Sequence, residues 1–192
     1  MFDINFFKKS FELKRKITSK SLTFSDLKNI ESELEYLRNK EPTIFNIETT
    51  NYCNMKCVMC PRTIYMERKN IWINDELFEN MLDSIKTHQI DELDDFWKWL
   101  KDEADFDRNE VSENGFYFNV VSRCLILHGY GEPFLDKYLI KRLKACKERN
   151  IPTYFSCTPA TMTVEKAEAA MEAGLSVLKF SLDAMNDDEI KK

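Results

Sequence analysis

Cys53, Cys57 and Cys60 lie on one short stretch, Cys-Asn-Met-Lys-Cys-Val-Met-Cys, just after the apolar run Ile44-Phe45-Asn46-Ile47. The spacing puts three thiols on a single loop at the end of an expected strand. Thiolates are soft ligands, and three of them in this pattern suit a 4Fe-4S cube whose fourth iron is left open to something other than protein. An iron with an open position can do chemistry. Structural zinc is the alternative donor reading, but it needs a fourth ligand and usually draws its cysteines from two separated pairs. Here only His88, His128 or a distant thiol could complete such a site. Disulfide staples fit poorly, because residues 1–20 mix Phe2, Phe6, Phe7 and Phe11 with Lys8, Lys9, Lys14 and Arg15 and contain neither an apolar signal core nor a small-residue cleavage site. A reducing, cytoplasmic setting is expected.

The elements that must position this loop follow from periodicity. Residues 1–42 are expected to form a helical extension. From Ser25 to Lys40, Leu27, Ile30, Leu34 and Leu37 recur at helical steps between a Ser25 cap and a Glu41-Pro42 stop. Such a stripe fits a helix packed on the outside of a domain, or a surface that meets a partner or membrane. From Thr43 to Lys192 strands alternate with helices, the signature of parallel β-α units. Strands are expected at Thr43–Glu48, Cys124–His128, Thr153–Cys157 and Val177–Leu182. Helices should follow Asn74, with Phe78, Met81, Leu82 and Ile85 inward; Asp136, with Leu139, Ile140, Leu143 and Cys146; and Thr163, ending near Gly174. A further helix should open between Asn186 and Lys192. The fold class is therefore α/β, a partial TIM-type (β/α) barrel, with chemistry at the C-terminal strand ends.

Residues 88–119 interrupt this rhythm. Leu93, Phe96, Trp97 and Leu100 predict a helix, and Glu113-Asn114-Gly115 predicts a turn before a strand at Phe116-Tyr117-Phe118. The insertion either covers the outside or bottom of the barrel or docks a partner. Cys124, Cys146 and Cys157, on separate elements, are expected to be buried thiols acting as small apolar groups.

Two segments carry a resemblance. Ile47-Glu48-Thr49-Thr50-Asn51-Tyr52-Cys53-Asn54-Met55-Lys56-Cys57-Val58-Met59-Cys60-Pro61-Arg62 resembles the cluster loop of radical S-adenosylmethionine (radical SAM) enzymes, particularly the SPASM- and twitch-related group. Leu127-His128-Gly129-Tyr130-Gly131-Glu132-Pro133-Phe134-Leu135 is similar to that family's glycine-glycine-glutamate segment, with Tyr130 between the two glycines. The resemblance implies that Cys53, Cys57 and Cys60 hold a 4Fe-4S cluster and that S-adenosylmethionine chelates the open iron. One electron would then break its S–C5′ bond, giving a 5′-deoxyadenosyl radical that abstracts hydrogen from a substrate. It also implies an oxidoreductase served by a one-electron donor such as flavodoxin or ferredoxin.

For the cofactor, the resemblance implies roles for Gly129, Gly131 and Glu132 at the methionyl end and for Met59 beside the adenine, where the family often has an aromatic residue. Ser181 and Asp183 would face the ribose and methionyl end. Thr158-Pro159-Ala160-Thr161 departs from the asparagine and glycine that commonly follow strand three. A six-stranded partial barrel is implied, so four strands leave an edge, and a missing C-terminal segment or partner chain is expected to complete it. A non-enzymatic zinc or electron-transfer module stays open beside this reading.

With 192 residues, 43% hydrophobic and a formal net charge of −5, the chain is sized for one core and shows no basic stripe for nucleic acid. No apolar run approaches the roughly 18 residues of a membrane span. Substrate, reaction outcome and oligomeric state are not written in these residues.

Overall fold

A computed structural model describes residues 3–23, 26–38, 43–109 and 112–182. Ser25, Glu41-Pro42, Asp183 and the helix expected over 186–192 lie outside the described residues.

Helices α1 (Ile4–Thr18) and α2 (Asp26–Leu37) form the N-terminal part. Asp3 starts α1 by accepting the Phe6 N–H at 2.9 Å, and Lys9 pairs with Glu33 at 2.6 Å to tie the two helices together. The apolar side of α1 is not idle. Phe7 meets Phe96, Trp99 and Phe118 edge-on at 5.6, 6.3 and 5.7 Å, so the aromatic stripe of the insertion is covered by the N-terminal helix.

A five-residue α3 (Pro61–Tyr65) closes the cysteine loop, and α4 (Asp75–Asp83) is capped by Asn74, whose side chain accepts the Leu77 N–H. Phe78 and Leu82 are buried as expected, with Met81 and Ile85 partly buried beside them. In the insertion, α5 (Ile90–Ala104) opens on a reciprocal Gln89–Glu92 capping box and buries Phe96, Trp97 and Leu100. The turn and strand expected at 113–118 are instead a helix, α6 (Glu113–Arg123). Ser112 accepts the Gly115 N–H at 3.0 Å, and Glu113 sits favourably in the first turn. Glu-Asn-Gly was read as a turn because the cap one residue upstream was overlooked.

Strands β1 (Leu125–Ile126), β2 (Thr153–Cys157) and β3 (Leu175–Phe180) form a parallel sheet in the order β1-β2-β3. Between them stand α7 (Leu139–Glu148) and α8 (Val164–Glu172), the latter capped by Thr163 as expected. The first expected strand is reduced to a parallel bridge between Asn46 and Ile126, secured by Ile47 N–H to Ile126 O and Ile126 N–H to Phe45 O at 2.8 Å each. The second strand is shorter than expected, and the last begins two residues earlier and ends two earlier. Among the described residues the fold is thus a partial α/β arrangement around a small three-stranded parallel sheet, and they do not close into a barrel.

Side-chain alternation gives the sheet two different faces. Leu125, Leu127, Phe155, Cys157 and Leu175 share a core with Phe78 and Leu82 of α4, Leu139 and Leu143 of α7 and Ala170 of α8. Ile126, Tyr154 and Val177 on the opposite face pack against Phe116 and Val120 of α6. That second face would line the interior of a barrel. Its lower half is filled by the insertion.

Asp136 does not cap α7, which begins only at Leu139 after a 3₁₀ turn at Pro133–Leu135. Its carboxylate instead meets the fully buried guanidinium of Arg142 at 2.8 Å. Arg142 Nη1 also donates to Thr49 O and Nη2 to Ile73 O, both at 2.8 Å. Burial pushes the Asp136 carboxyl above its ordinary value, while the Tyr138 N–H and the Arg142 charge pull it down. Removing one partner strands the other in the core. Arg142→Met is therefore expected to cost about 3–5 kcal/mol of stability, a figure typical of a broken buried pair. Urea unfolding checks it, and a loss below about 1 kcal/mol would mean the clamp is not needed.

Candidate functional site

The cysteine loop hangs from a closed neck. Ile73 N–H donates to Thr49 O at 2.9 Å, Thr50 and Trp72 form an antiparallel bridge, and the Asn51 side chain accepts the Ile71 N–H at 2.6 Å while donating to Lys69 O at 3.0 Å. Thr49, Thr50 and Asn51 are buried, and the Thr50 and Asn51 side chains are engaged with backbone groups. Beyond the neck Cys53, Cys57 and Cys60 are half-buried free thiols. Arg62 Nε donates to Asn51 O at 3.0 Å, Thr63 Oγ1 to Cys57 O at 3.1 Å, and the Cys60 N–H to Cys57 O at 3.1 Å, folding the loop onto its own base. Met59 is 67% exposed, and Val58, Ile64 and Tyr65 also face solvent.

The second motif abuts this neck. Glu132 N–H donates to Tyr52 O at 2.7 Å, and Tyr130 N–H donates to a Glu48 oxygen at 2.7 Å across 82 residues of sequence. Arg68 holds the other oxygen of Glu48. A Cβ on Gly131 would lie 1.9 Å from Thr50 O, so only glycine lets the two backbones touch. On Gly129 it would meet the Glu48 side chain at 2.8 Å.

Glu132 is not a solvated loop acid. It is only 3% exposed, with Oε1 accepting the Phe134 N–H at 3.3 Å and Oε2 the Thr158 N–H at 3.0 Å. It thereby ties the loop after β1 to the loop after β2. Ser181 lies at the end of β3, where its N–H donates to Cys157 O at 2.9 Å and its Oγ is 2.6 Å from Ser156 Oγ. The structure thus gathers the cysteine loop, Gly129, Gly131 and Glu132 at one neck and places Ser181 along the neighbouring strand ends. Asp183 lies outside the described residues.

Cys124, Cys146 and Cys157 are buried, as expected. Burial pushes their thiols up to about 11, 12 and 11, and Glu132 adds to the rise at Cys157. His128 shares this end of the sheet: its Nδ1 accepts the Ser156 N–H at 3.2 Å. Burial, and then the Lys179 charge, lower it to about 4. Arg142 was also missed. Its signal was a charge at the third step of an apolar stripe, Leu139, Arg142, Leu143, Cys146, which places a cation on the buried side of α7.

Among the described residues no three His, Cys, Asp or Glu side chains converge as a metal ion would require. The donor set nevertheless suits an iron-sulfur group in type and number: three unbridged thiols on one loop, next to a glycine-lined neck. No helix among the described residues is long and apolar enough to cross a membrane.

No protein-family model matches the sequence, and no curated protein matches it. Among solved structures, the crystal structure of BtrN in complex with AdoMet and 2-DOIA is similar, with a TM-score of 0.49 and 17% identity. The match covers 73% of this chain and 46% of that one, so the chain spans just under half the length of that structure.

Two outcomes are expected. Gly131→Ala forces backbone apart and should cost stability at or above the roughly 1–3 kcal/mol of overpacking. Gly129→Ala meets only a side chain that can swing, and should cost less. Urea midpoints of the two variants give the order, and a reversed order contradicts the neck.

For His128 the folded value of about 4 lies below the ordinary 6.5, so between those pH values the unfolded chain binds the extra proton. Its contribution is complete above 6.5 and is lost as pH falls through that window toward 4. His128→Gln should therefore show a shallower loss of stability from pH 7 to 4.5 than wild type, read from urea midpoints in parallel series. Equal slopes would refute the buried neutral imidazole.

Proposed function

We propose that this chain is the core of a radical SAM enzyme, with Cys53, Cys57 and Cys60 holding a 4Fe-4S cluster and the neck at Gly129–Glu132 receiving S-adenosylmethionine. One observation carries the reading: Glu132 N–H donates to Tyr52 O at 2.7 Å, so the residue before the first cysteine and the carboxylate of the second motif are one piece of structure. In a zinc or electron-transfer module that carboxylate would have no ligand to meet. When bound, the cluster supplies the electron that cleaves the sulfonium and yields a 5′-deoxyadenosyl radical for hydrogen abstraction.

The chain's own residues bind and orient. The Glu132 oxygens, aligned by the Phe134 and Thr158 N–H groups, each keep a lone pair for the methionyl ammonium. Gly131 keeps that contact free of side chain, and Gly129 leaves room for the Glu48 carboxylate beneath. Ser181 offers a hydroxyl to the ribose, Asp183 is assigned beside it, and Met59 offers a polarizable side chain to the adenine. The exposed side of the loop around Val58 is where a one-electron donor such as flavodoxin or ferredoxin would dock. Kinship with the SPASM- and twitch-related group rests on the residues of the cysteine motif, and the remaining barrel strands are assigned to sequence or a partner beyond those described.

Anaerobic reconstitution tests this. Wild type and Cys146→Ala are expected to carry iron and sulfide in cluster proportion, and any one of Cys53→Ala, Cys57→Ala or Cys60→Ala to lose it, since each thiolate holds an iron no neighbour reaches. The electron paramagnetic resonance signal of the reduced cluster should change when S-adenosylmethionine is added, and this change should weaken in Glu132→Gln. Zinc in place of iron, or a signal indifferent to S-adenosylmethionine, would sink the enzyme reading.

A further inference from the structure

The sheet face covered by α6 changes character halfway along its strands. At the level of Ile126, Tyr154 and Val177 it is apolar and packed against Phe116 and Val120. One step toward the C-terminal ends stand His128, Ser156 and Lys179, with Ser156 directly in register with Lys179. Burial there has uncovered donors. His128 Nδ1 accepts the Ser156 N–H, which leaves the imidazole proton on Nε2, and among the described residues Nε2–H has no protein partner. The ring is held edge-on to Tyr154 at 5.3 Å, so it cannot turn away freely.

Lys179 Nζ lies 5.5 Å from the centre of the Phe116 ring and, among the described residues, pairs with no carboxylate. The Ser156 hydroxyl shares a hydrogen with Ser181 Oγ at 2.6 Å. Glu48, two residues beyond the bridge that pairs Asn46 with Ile126, is the acid nearest in register on the far side of His128. It is already engaged by Arg68 and the Tyr130 N–H. What faces out of the row is therefore an N–H, a hydroxyl and an ammonium. His128 and Ser156 are half-buried, and an unmatched donor there is costly unless a ligand supplies an acceptor, while the exposed Lys179 ammonium stands at the mouth of the row.

The geometry points to a binding site at His128, Ser156 and Lys179 for an anionic oxygen group of the substrate, a carboxylate or a phosphate. The assignment rests on the radical SAM reading for the word substrate, since Ser181, given there to the cofactor, touches Ser156 and would set the two ligands side by side. A compound with an acidic group would be held by that group against β2 and β3, fixing which of its hydrogens faces the cofactor. The row contains no thiol and no metal ligand, so it can be filled without iron.

The chain has two histidines, which makes the test direct. Imidazole-¹⁵N spectra of the full chain are recorded while inorganic phosphate and, separately, sodium acetate replace chloride at constant ionic strength. A saturable shift at His128 with His88 unmoved is expected for at least one anion, and the stronger responder tells phosphate from carboxylate. Lys179→Met should weaken it roughly tenfold, the scale of one charge-assisted contact, and Ser156→Ala by a smaller factor. No saturable shift with either anion, an equal shift at His88, or unchanged affinity in Lys179→Met overturns the site. Iron and sulfide analysis of the reconstituted wild-type chain, beside its anion titration, separates the two ideas. Anion binding in a chain that takes up no cluster would leave this site standing and remove the radical reading, whereas a loaded cluster with no anion response does the opposite.

Discussion

Much of the site hangs on a buried guanidinium. Arg142 takes the Thr49 carbonyl with one nitrogen and the Ile73 carbonyl with another, and so grips the two ends of the segment that carries the cysteines. Loop closure costs entropy that a surface loop would have to recover by itself. Here α7 supplies it, because Leu139, Leu143 and Cys146 bury the helix side from which Arg142 projects. The cation is tolerated because Asp136 neutralises it and the two loop carbonyls take donors from Nη1 and Nη2, while Nε is left buried without a partner. A lysine would bring the charge without the planar fork that spans both carbonyls.

The same economy explains the second motif. A Gly-Tyr-Gly-Glu turn is short, and with Gly131 against Thr50 it presses its backbone onto a neck already closed by Arg142. Glu132 then has no room to be a flexible acid. Its oxygens are held by the Phe134 and Thr158 N–H groups, so a cation arriving there meets a carboxylate that has already lost its freedom. Below this rigid neck the loop tip, with Val58 and Met59 outward, keeps few anchors. A rigid base with an accessible tip is consistent with the role proposed above.

Legibility in the sequence followed the range of the interaction. Local signals came through: Asn74 and Thr163 cap their helices, Phe78 and Leu82 face inward, and β2 has the expected bounds, because caps and stripes depend on residues a few positions away. The 43–48 segment is apolar enough for a strand yet pairs through one bridge, since strand length is decided by its neighbour and β1 is itself only two residues long. Residues 113–118 were misread where the Ser112 cap outweighs Asn-Gly. The candidate site was legible as residue types at Cys53, Cys57, Cys60 and Glu132. The Arg142 clamp and the His128–Ser156–Lys179 row were not, as both need to know which strands lie side by side.

The insertion shows how such long-range terms shape function. An α/β sheet with helices on one side leaves the other face free, and that face is wide and indiscriminate. Here α6 fills its apolar half, Phe116 and Val120 against Tyr154 and Val177, and α1 in turn covers α5, so the added residues are consumed in burying one another. What they leave open is the upper strip with His128, Ser156, Lys179 and Ser181. His128 and Ser156 are half-buried there, and partly buried polar groups are specific in what they accept. The insertion thus does at the sheet what Arg142 does at the loop: it removes freedom everywhere except at one polar strip.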